Sequence, residues 1–484
     1  MSTNSECILS AAGAASERAW PLLDVAHTRA LEVARPTGTT TDTLMQIAGL
    51  ALARITLALA PHAQVIWVAC GPGNNGGDGL EAAAHLQLWG KQVVASLLHD
   101  PEKTSADARR AWQAAHAAGV TFSHSVPAHF DACVDALFGI GTQRPLQGEY
   151  AEWVACMNAS KAPTIAADIP SGLDADTGAL AALHVVADAT LSLLSLKPGL
   201  FTGGGRDACG DIWFDDLGVQ DGAAAQALLL GPPAAATRAH ASHKGSFGDV
   251  CVVGGAAGMC GAALLAARSA LHGGAGRVFV CPLGAPDMAL DAQLPELMFR
   301  SFDDLDWSAM TLVAGCGGGQ AIAEYLPLIL GHATQLVLDA DALNHIAQSP
   351  ALQQQLALRT PGHTVITPHP LEAARLLATT AAAIQADRLG AARSLAERFR
   401  CVVVLKGSGT VIAAPAELPR INPTGNAKLA SAGTGDVLAG LLGALMAGGH
   451  TALDAACEAV YRHGQAANRW QGTVMSASQL CHWM

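Results

Sequence analysis

Four glycine-containing stretches of the chain carry side chains able to do chemistry. Residues 71–79 read GPGNNGGDG and follow the apolar run Gln64–Cys70. Glycines let backbone N–H groups approach an anion, and a helix start beyond them adds partial positive charge. Asn74, Asn75 and Asp78 add side-chain oxygens that a plain turn does not need. The string is neither a Walker loop nor the dinucleotide GxGxxG. Further on, VDALFGIGTQRPLQG sets Asp135 at the carboxyl end of a predicted strand, and AADIPSGLDADTG sets Asp168 and Ser171 beyond another. Ligands of open parallel sheets collect beyond such strand ends. Asn75, Asp135 and Ser171 are therefore expected to converge. Oxygen donors without His or Cys suit a hard cation, and one carboxylate among neutral oxygens favours a monovalent ion over magnesium. Asp168 is an acid or base candidate; capping the IPSG turn is its plain structural alternative. Lys197, in SLKPG, reads equally as an assisting cation or a surface lysine.

The fourth stretch, GTGDVLAGL at 433–441, opens a helix with glycines and places Asp436 in its first turn. Backbone amides there form an anion hole, and Asp436 can take a proton from a bound hydroxyl. An N-cap role is the alternative. KGSGT at 406–410 follows a strand with small residues that let amides reach a nucleotide, and TPHP exposes His369 between a strand end and a helix.

Alternating elements must position these groups. Residues 43–60 have helical apolar spacing and stop at Pro61; 64–70 is a strand, 71–79 a loop and 80–89 a helix. Strands follow at 93–98, 132–137, 164–167 and 189–194, with a helix at 106–118. Such alternation implies a parallel sheet covered on both faces. Residues 218–238 are rich in Ala, Gly and Pro and mark a boundary. A second series begins at 249–253 and includes helices at 261–271, 370–378, 383–399 and 433–447. Its strands fall at 277–281, 311–314, 335–339, 364–367, 401–405 and 410–413. Two such sheets exceed one core.

Composition bounds the function. The 484 residues carry 28 Lys and Arg against 40 Asp and Glu, a net charge of −12 with no basic run. That excludes a nucleic-acid footprint, so anions must be held locally. No apolar stretch is long and clean enough for a membrane span. The amino terminus has no basic-then-apolar leader pattern, and the 12 cysteines are scattered without a CxxC pair. A cytoplasmic protein is expected, with its cysteines buried in a reducing compartment.

GPGNNGGDGLEAAAHL, DALFGIGTQRP, DIPSGLDADTG and SLLSLKPG resemble the YjeF amino-terminal domain family, the NAD(P)H-hydrate epimerases, over roughly residues 20–215. The resemblance implies a Rossmann-like fold and K⁺ held near Asn75, Asp135 and Ser171. The damaged cofactor would lie across Asn74, Asn75, Gly76, Gly77 and Asp78, across Gly139, Ile140, Gly141, Thr142, Gln143, Arg144 and Pro145, and at Asp168. The implied reaction inverts the hydroxylated C6 carbon of the hydrated nicotinamide ring, with Asp168 as general acid or base.

Over roughly residues 235–480, the segments 243–278, LPELM, AGCGGG, LDADAL, TPHPLEAARLL, VVLKGSGTVI and NAKLASAGTGDVLAG resemble the ADP-dependent NAD(P)H-hydrate dehydratases, of ribokinase-like fold. That resemblance implies that Ala262, Gly317, His369 and Asp436 contact the hydrate. Lys406, Gly407, Ser408, Gly409, Thr410 and Gly435 would contact the adenine nucleotide, with Mg²⁺ neutralising its phosphates. Two loops depart from the usual family pattern, Gly425–Ala430 and Gly315–Gly319, and both keep the key glycines.

The expectation is thus an α/β chain of two domains. Residues 1–220 would form the Rossmann-like YjeF epimerase and residues 230–484 the ribokinase-like dehydratase. Together they would repair NADHX and NADPHX with ADP as co-substrate, as a homo-oligomer with no nucleic-acid or membrane partner. The rival reading is an ATP-dependent vitamin-type kinase with a non-catalytic amino-terminal binding module.

Overall fold

The strand sequences explain the architecture. VIWVAC, ACVDA and VVVL are nearly continuous apolar runs, as expected of strands buried on both faces. The computed structural model describes residues 5–10, 17–34, 43–141, 146–219, 224–234 and 238–484. The chain divides into two compact units, one chiefly Trp20–Ala227 and the other chiefly Leu228–Met484.

Strands of the first unit are β1 (Glu6–Leu9), β2 (Trp20–Leu22), β3 (Val65–Cys70), β4 (Gln92–Leu97), β5 (Thr121–Ser123), β6 (Ala132–Ala136), β7 (Thr164–Ala167), β8 (Ala189–Leu193) and β9 (Asp211–Asp215). Eight of them form a sheet in the order β1-β9-β8-β7-β6-β3-β4-β5. Every pair is parallel except β1 with β9. The chain starts the parallel series at β3, runs outward through β4 and β5, then returns to β6 on the other side of β3. That reversal splays the loops after β3 and β6 apart and opens a crevice beyond their carboxyl ends.

The loop predicted at 71–79 is shorter than expected, because the helix Asn74–Leu88 has already begun at Asn74. Close packing explains its glycines. A Cβ at Gly76 would lie 1.9 Å from the Gly71 carbonyl oxygen, and one at Gly79 would lie 2.5 Å from the Ala136 Cβ. The glycines thus let this helix sit directly on β3 and β6 and against the helix Leu44–Leu59.

In the second unit the strands are β10 (Ala227–Leu229), β11 (Asp249–Gly254), β12 (Arg277–Pro282), β13 (Met298–Phe299), β14 (Thr311–Ala314), β15 (Gln335–Leu338), β16 (Thr364–Ile366), β17 (Val402–Leu405), β18 (Val411–Ala413) and β19 (Arg420–Ile421). Their order is β13-β12-β11-β14-β15-β16-β17-β18-β19-β10. The run from β13 to β17 is parallel, and β18 pairs antiparallel with both its neighbours. Here the order reverses between β11 and β14. The helix Thr434–Ala447 packs beneath this point, almost wholly buried. The helix predicted over 383–399 is two helices, Ala381–Ala386 and Arg388–Phe399. Asp387 separates them because its carboxylate caps the second, accepting from the Gly390 N–H at 2.8 Å. Among the described residues no helix is long and apolar enough to cross a membrane.

Candidate active sites

At and beyond the ends of the neighbouring strands β6 and β7 the structure brings Asp135 and Ser171 together, with Asn75 at the helix start after β3. Asp135, at the end of β6, is fully buried. Its Oδ1 accepts from the Ser171 hydroxyl at 2.7 Å and the Leu137 N–H at 3.1 Å; its Oδ2 accepts from the Ser171 N–H at 2.8 Å. Burial pushes its carboxyl up to about 6, against the pull of those bonds. The Ser171 hydroxyl in turn accepts from the Phe138 N–H at 3.0 Å. Asn75, at the start of its helix, is buried, and neither amide atom has a hydrogen-bond partner. It lies against Gly139, where a Cβ would fall 3.3 Å from the Asn75 Cγ. A buried amide left unpaired costs about 1–3 kcal/mol, which is a mark of a site built for a further ligand. Asn75 Oδ1, the Asp135 carboxylate and the Ser171 hydroxyl are all hard oxygens, so this donor set fits an alkali cation.

One strand along, Asp168 sits just past β7 with φ of +66°, a left-handed conformation rare outside glycine. Its Oδ1 accepts from the Leu193 N–H at 3.1 Å and from the Lys197 ammonium. Lys197 is fully buried, so it is no surface lysine. It also donates to the Leu193 carbonyl at 2.7 Å and the Ser192 hydroxyl at 3.4 Å. Asp168 therefore spends Oδ1 on anchoring and keeps Oδ2 free of described partners. Burial pushes the neighbouring Asp78 carboxyl well above the usual range, with the charges of Asp168, Glu32 and Glu81 adding to the shift and Lys197 opposing it. Beside this group opens a cavity of about 730 Å³, bounded by Pro72, Phe138–Gly141, Ile169 and Leu173–Asp176. Thr142, Gln143, Arg144 and Pro145 lie outside the described residues.

The second unit gathers its own cluster at the β11–β14 reversal. Asp339, one residue past β15, is buried; its Oδ1 accepts from Lys406 Nζ at 2.6 Å and the Thr367 hydroxyl at 2.7 Å. Ligand atoms of Asp339, Asp436 and Cys316 lie within 4.8 Å of one another. Burial pushes the Asp436 carboxyl up to about 7, and the charge of Asp339 adds to the effect. Gly435 keeps this centre open: a Cβ there would sit 3.4 Å from Lys406 Nζ. Gly317, with φ of +56°, packs on Ala262, whose Cβ would lie 2.8 Å from a Gly317 Cβ. His369 caps the helix Pro370–Leu377, its Nδ1 accepting from the N–H groups of Leu371 at 3.1 Å and Glu372 at 3.3 Å. That leaves the proton on Nε2, 3.2 Å from Glu372 Oε1. Burial pushes the Glu372 carboxyl up to about 7.

The KGSGT turn is built from beneath. Buried Arg388 donates to the carbonyls of Leu405 at 3.1 Å and Lys406 at 3.2 Å. A Cβ at Gly407 would meet its guanidinium at 2.9 Å. Thr410 closes the turn, its hydroxyl donating to the Gly407 carbonyl at 3.1 Å. Lys406 points its amine into the acidic cluster, while Gly407, Ser408 and Gly409 form the turn itself.

Sequence reasoning did not single out Asp339, Glu372 or Arg388. Asp339 had the signal of an acid just past an apolar strand, and Glu372 stands three residues after the helix-capping His369, as a capping box requires. Arg388 had none, since an arginine opening a helix reads as surface.

Comparison with known proteins follows the same division. Residues 41–199 match the family described as YjeF-related protein N-terminus, and residues 250–482 match that described as NAD(P)H-hydrate dehydratase. The chain is 36% identical over 459 residues to the bifunctional NAD(P)H-hydrate repair enzyme Nnr of Escherichia coli K12, covering 90% of this chain and 87% of that protein. It is 37% identical over 477 residues to the bifunctional NAD(P)H-hydrate repair enzyme of Leishmania braziliensis, covering 88% and 84%. A solved structure, the ADP/ATP-dependent NAD(P)H-hydrate dehydratase from Bacillus subtilis co-crystallized with ATP/Mg²⁺, is 28% identical with a TM-score of 0.42, covering 51% of this chain and 91% of that one.

Proposed function

This chain belongs to the bifunctional NAD(P)H-hydrate repair enzyme family, and from that premise we propose how its two sites divide the work. The amino-terminal unit interconverts the R and S forms of hydrated NADH and NADPH. The carboxyl-terminal unit dehydrates the S form back to NAD(P)H, converting ADP to AMP and phosphate.

The observation that carries the dehydratase reading is Asp436, at the start of the helix Thr434–Ala447 with its carboxyl near neutral pH. Such a group changes protonation at working pH, as a general base must. In the proposed sequence Asp436 takes the proton of the C6 hydroxyl as that oxygen attacks the β-phosphorus of ADP, and AMP leaves. The C6–O bond then breaks with the electron pair going to phosphate. The ring nitrogen lone pair supports this departure, and loss of a C5 proton restores the C5–C6 double bond. Lys406, held by Asp339, places a cation beside the transferring phosphoryl group. The helix N-terminus at Gly433–Gly435 and the KGSGT turn supply backbone amides to phosphate oxygens. The carboxylates of Asp339 and Asp436 are the donors that would hold a Mg²⁺ arriving with the nucleotide, whereas the thiol of Cys316 does not suit it. When bound, that ion neutralises phosphate charge.

In the amino-terminal unit Asp168 exchanges a proton with the hydrate through its free Oδ2, while Lys197 fixes the carboxylate in place. Asn75, Asp135 and Ser171 would hold a K⁺, whose positive charge would offset the negative charge of the substrate phosphates. Pro72 and Gly139–Gly141 border the cavity that receives the cofactor, and the helix that begins at Asn74 follows directly on Pro72 and Gly73. The twelve cysteines are all free thiols, in keeping with a reducing, cytoplasmic setting.

The test incubates the full chain with mixed R and S hydrates. With ADP, absorbance of reduced nicotinamide should recover from both epimers; without nucleotide none should return. Phosphorylation of vitamin alcohols by ATP, with no recovery of NAD(P)H, would favour a kinase instead.

A further inference from the structure

One wall of the amino-terminal cavity is the helix Val25–Ala34, which contributes Val25, Ala26 and Arg29. The chemistry proposed above uses none of them. This helix is fastened to the site at both faces of its first turns. Its Val25 N–H donates to Asp176 Oδ1 at 2.8 Å, and the Thr28 hydroxyl meets the Ser195 hydroxyl at 2.7 Å in a buried contact. The Leu23 N–H just before it donates to the Leu196 carbonyl at 2.9 Å, next to Lys197. Arg29 thus projects from an anchored backbone into the cavity.

Its guanidinium lies over the loop that follows β6: a Cβ at Gly141 would fall 3.3 Å from Arg29 Nη2. Among the described residues Arg29 has no hydrogen bond or ion pair, and it is the one cation among the residues lining the cavity. The two acids that line it are already committed. Asp174 accepts from the Thr177 N–H and hydroxyl, both at 2.8 Å, and Asp176 caps the helix. Glu32, one turn along the helix, feels the charge of Arg29 but makes no ion pair with it, so the guanidinium keeps its hydrogen-bond donors for an anion entering the cavity, in a chain whose net charge of −12 otherwise repels a polyanion. Its planar fork matches phosphate oxygens.

We propose that Arg29 clamps a phosphate of the hydrated dinucleotide in the epimerase site, a role that rests on the epimerase reading above. Proton transfer is assigned to Asp168, so the clamp at Arg29 contributes to binding alone. The anchored helix makes the clamp preformed, with the phosphate bridging Arg29 and the Gly139–Gly141 backbone.

The experiment measures epimerisation of NADHX and of NADPHX separately, for the parent, Arg29→Ala and Arg29→Lys. Loss of a charged phosphate contact should raise KM about ten- to hundredfold in Arg29→Ala, with kcat held within about twofold. Arg29→Lys should recover part of the loss. Equal rises for both substrates assign the clamp to the pyrophosphate, and a rise for NADPHX alone assigns it to the 2′-phosphate. Arg29 is exposed on its helix, so matching thermal unfolding of the variants checks that they are folded. An active parent with unchanged KM for both substrates in Arg29→Ala overturns the clamp alone. A parent that interconverts neither hydrate overturns the epimerase reading first and the clamp with it.

Discussion

Replacing Asp436 with Asn should cost activity and raise stability together. The Asp436 carboxyl stands at about 7 in the folded chain, raised by burial first and Asp339 second. In an unfolded chain it titrates near the ordinary aspartate value of about 4. The folded state therefore binds the extra proton between those values, and stability falls as pH rises through that window. At about 1.4 kcal/mol per unit, the cost at pH 8 is at most ~4 kcal/mol, with the charge of Lys406 opposing the rise. Asn keeps the shape and removes the charge. Denaturant midpoints should then show Asp436→Asn more stable than the parent at pH 8, with the difference shrinking towards pH 4. Dehydration of the S hydrate, followed by the absorbance of NADH, should fall by roughly two to four decades, while R–S interconversion is untouched. In the parent, kcat/KM for dehydration should drop about tenfold per pH unit below 7. Near-normal dehydration by Asp436→Asn would refute the base assignment. A variant less stable than the parent at pH 8 would refute the account of its burial.

Other consequences are equally direct. Lys197→Met strands the Asp168 carboxylate without its buried partner; it should destabilise the amino-terminal unit by ~3–5 kcal/mol and abolish epimerisation while dehydration by the other unit persists, as separate assays on each hydrate will show. Epimerase rate should depend on added KCl at constant ionic strength, and Asp135→Ala should remove that dependence; a parent indifferent to K⁺ would return Asn75 and Ser171 to loop capping. A truncated chain starting near Pro232 should fold and dehydrate only the S hydrate, and insolubility from several nearby starts would place the boundary elsewhere.

Much of this protein is legible in the sequence because its signals are local. Apolar runs ending in glycine mark β3, β11 and β14, and a strand followed by a helix locates the ligand end of each. The order of types in GPGNNGGDG, DIPSGLD and GTGDVLAG is enough to nominate Asn75, Asp168 and Asp436. Helix breaks are local too, but weaker: Asp387 reads as one more polar residue until its carboxylate is seen capping Gly390.

What the tertiary structure alone decides is which distant residues share a charge environment. Lys197 and Asp168 are separated by 29 positions, and Lys406 and Asp339 by 67. Sequence could not tell a buried Lys197 from a surface one, because burial depends on how β8 and its following turn fold over β7. Arg29 lies more than a hundred positions before Gly141, and no local pattern joins them. The neutral-range carboxyls of Asp436 and Glu372 follow the same rule. Residue type sets the ordinary value, but desolvation and neighbouring charge move it, and both arise only when the strands of a parallel sheet bring their carboxyl ends together.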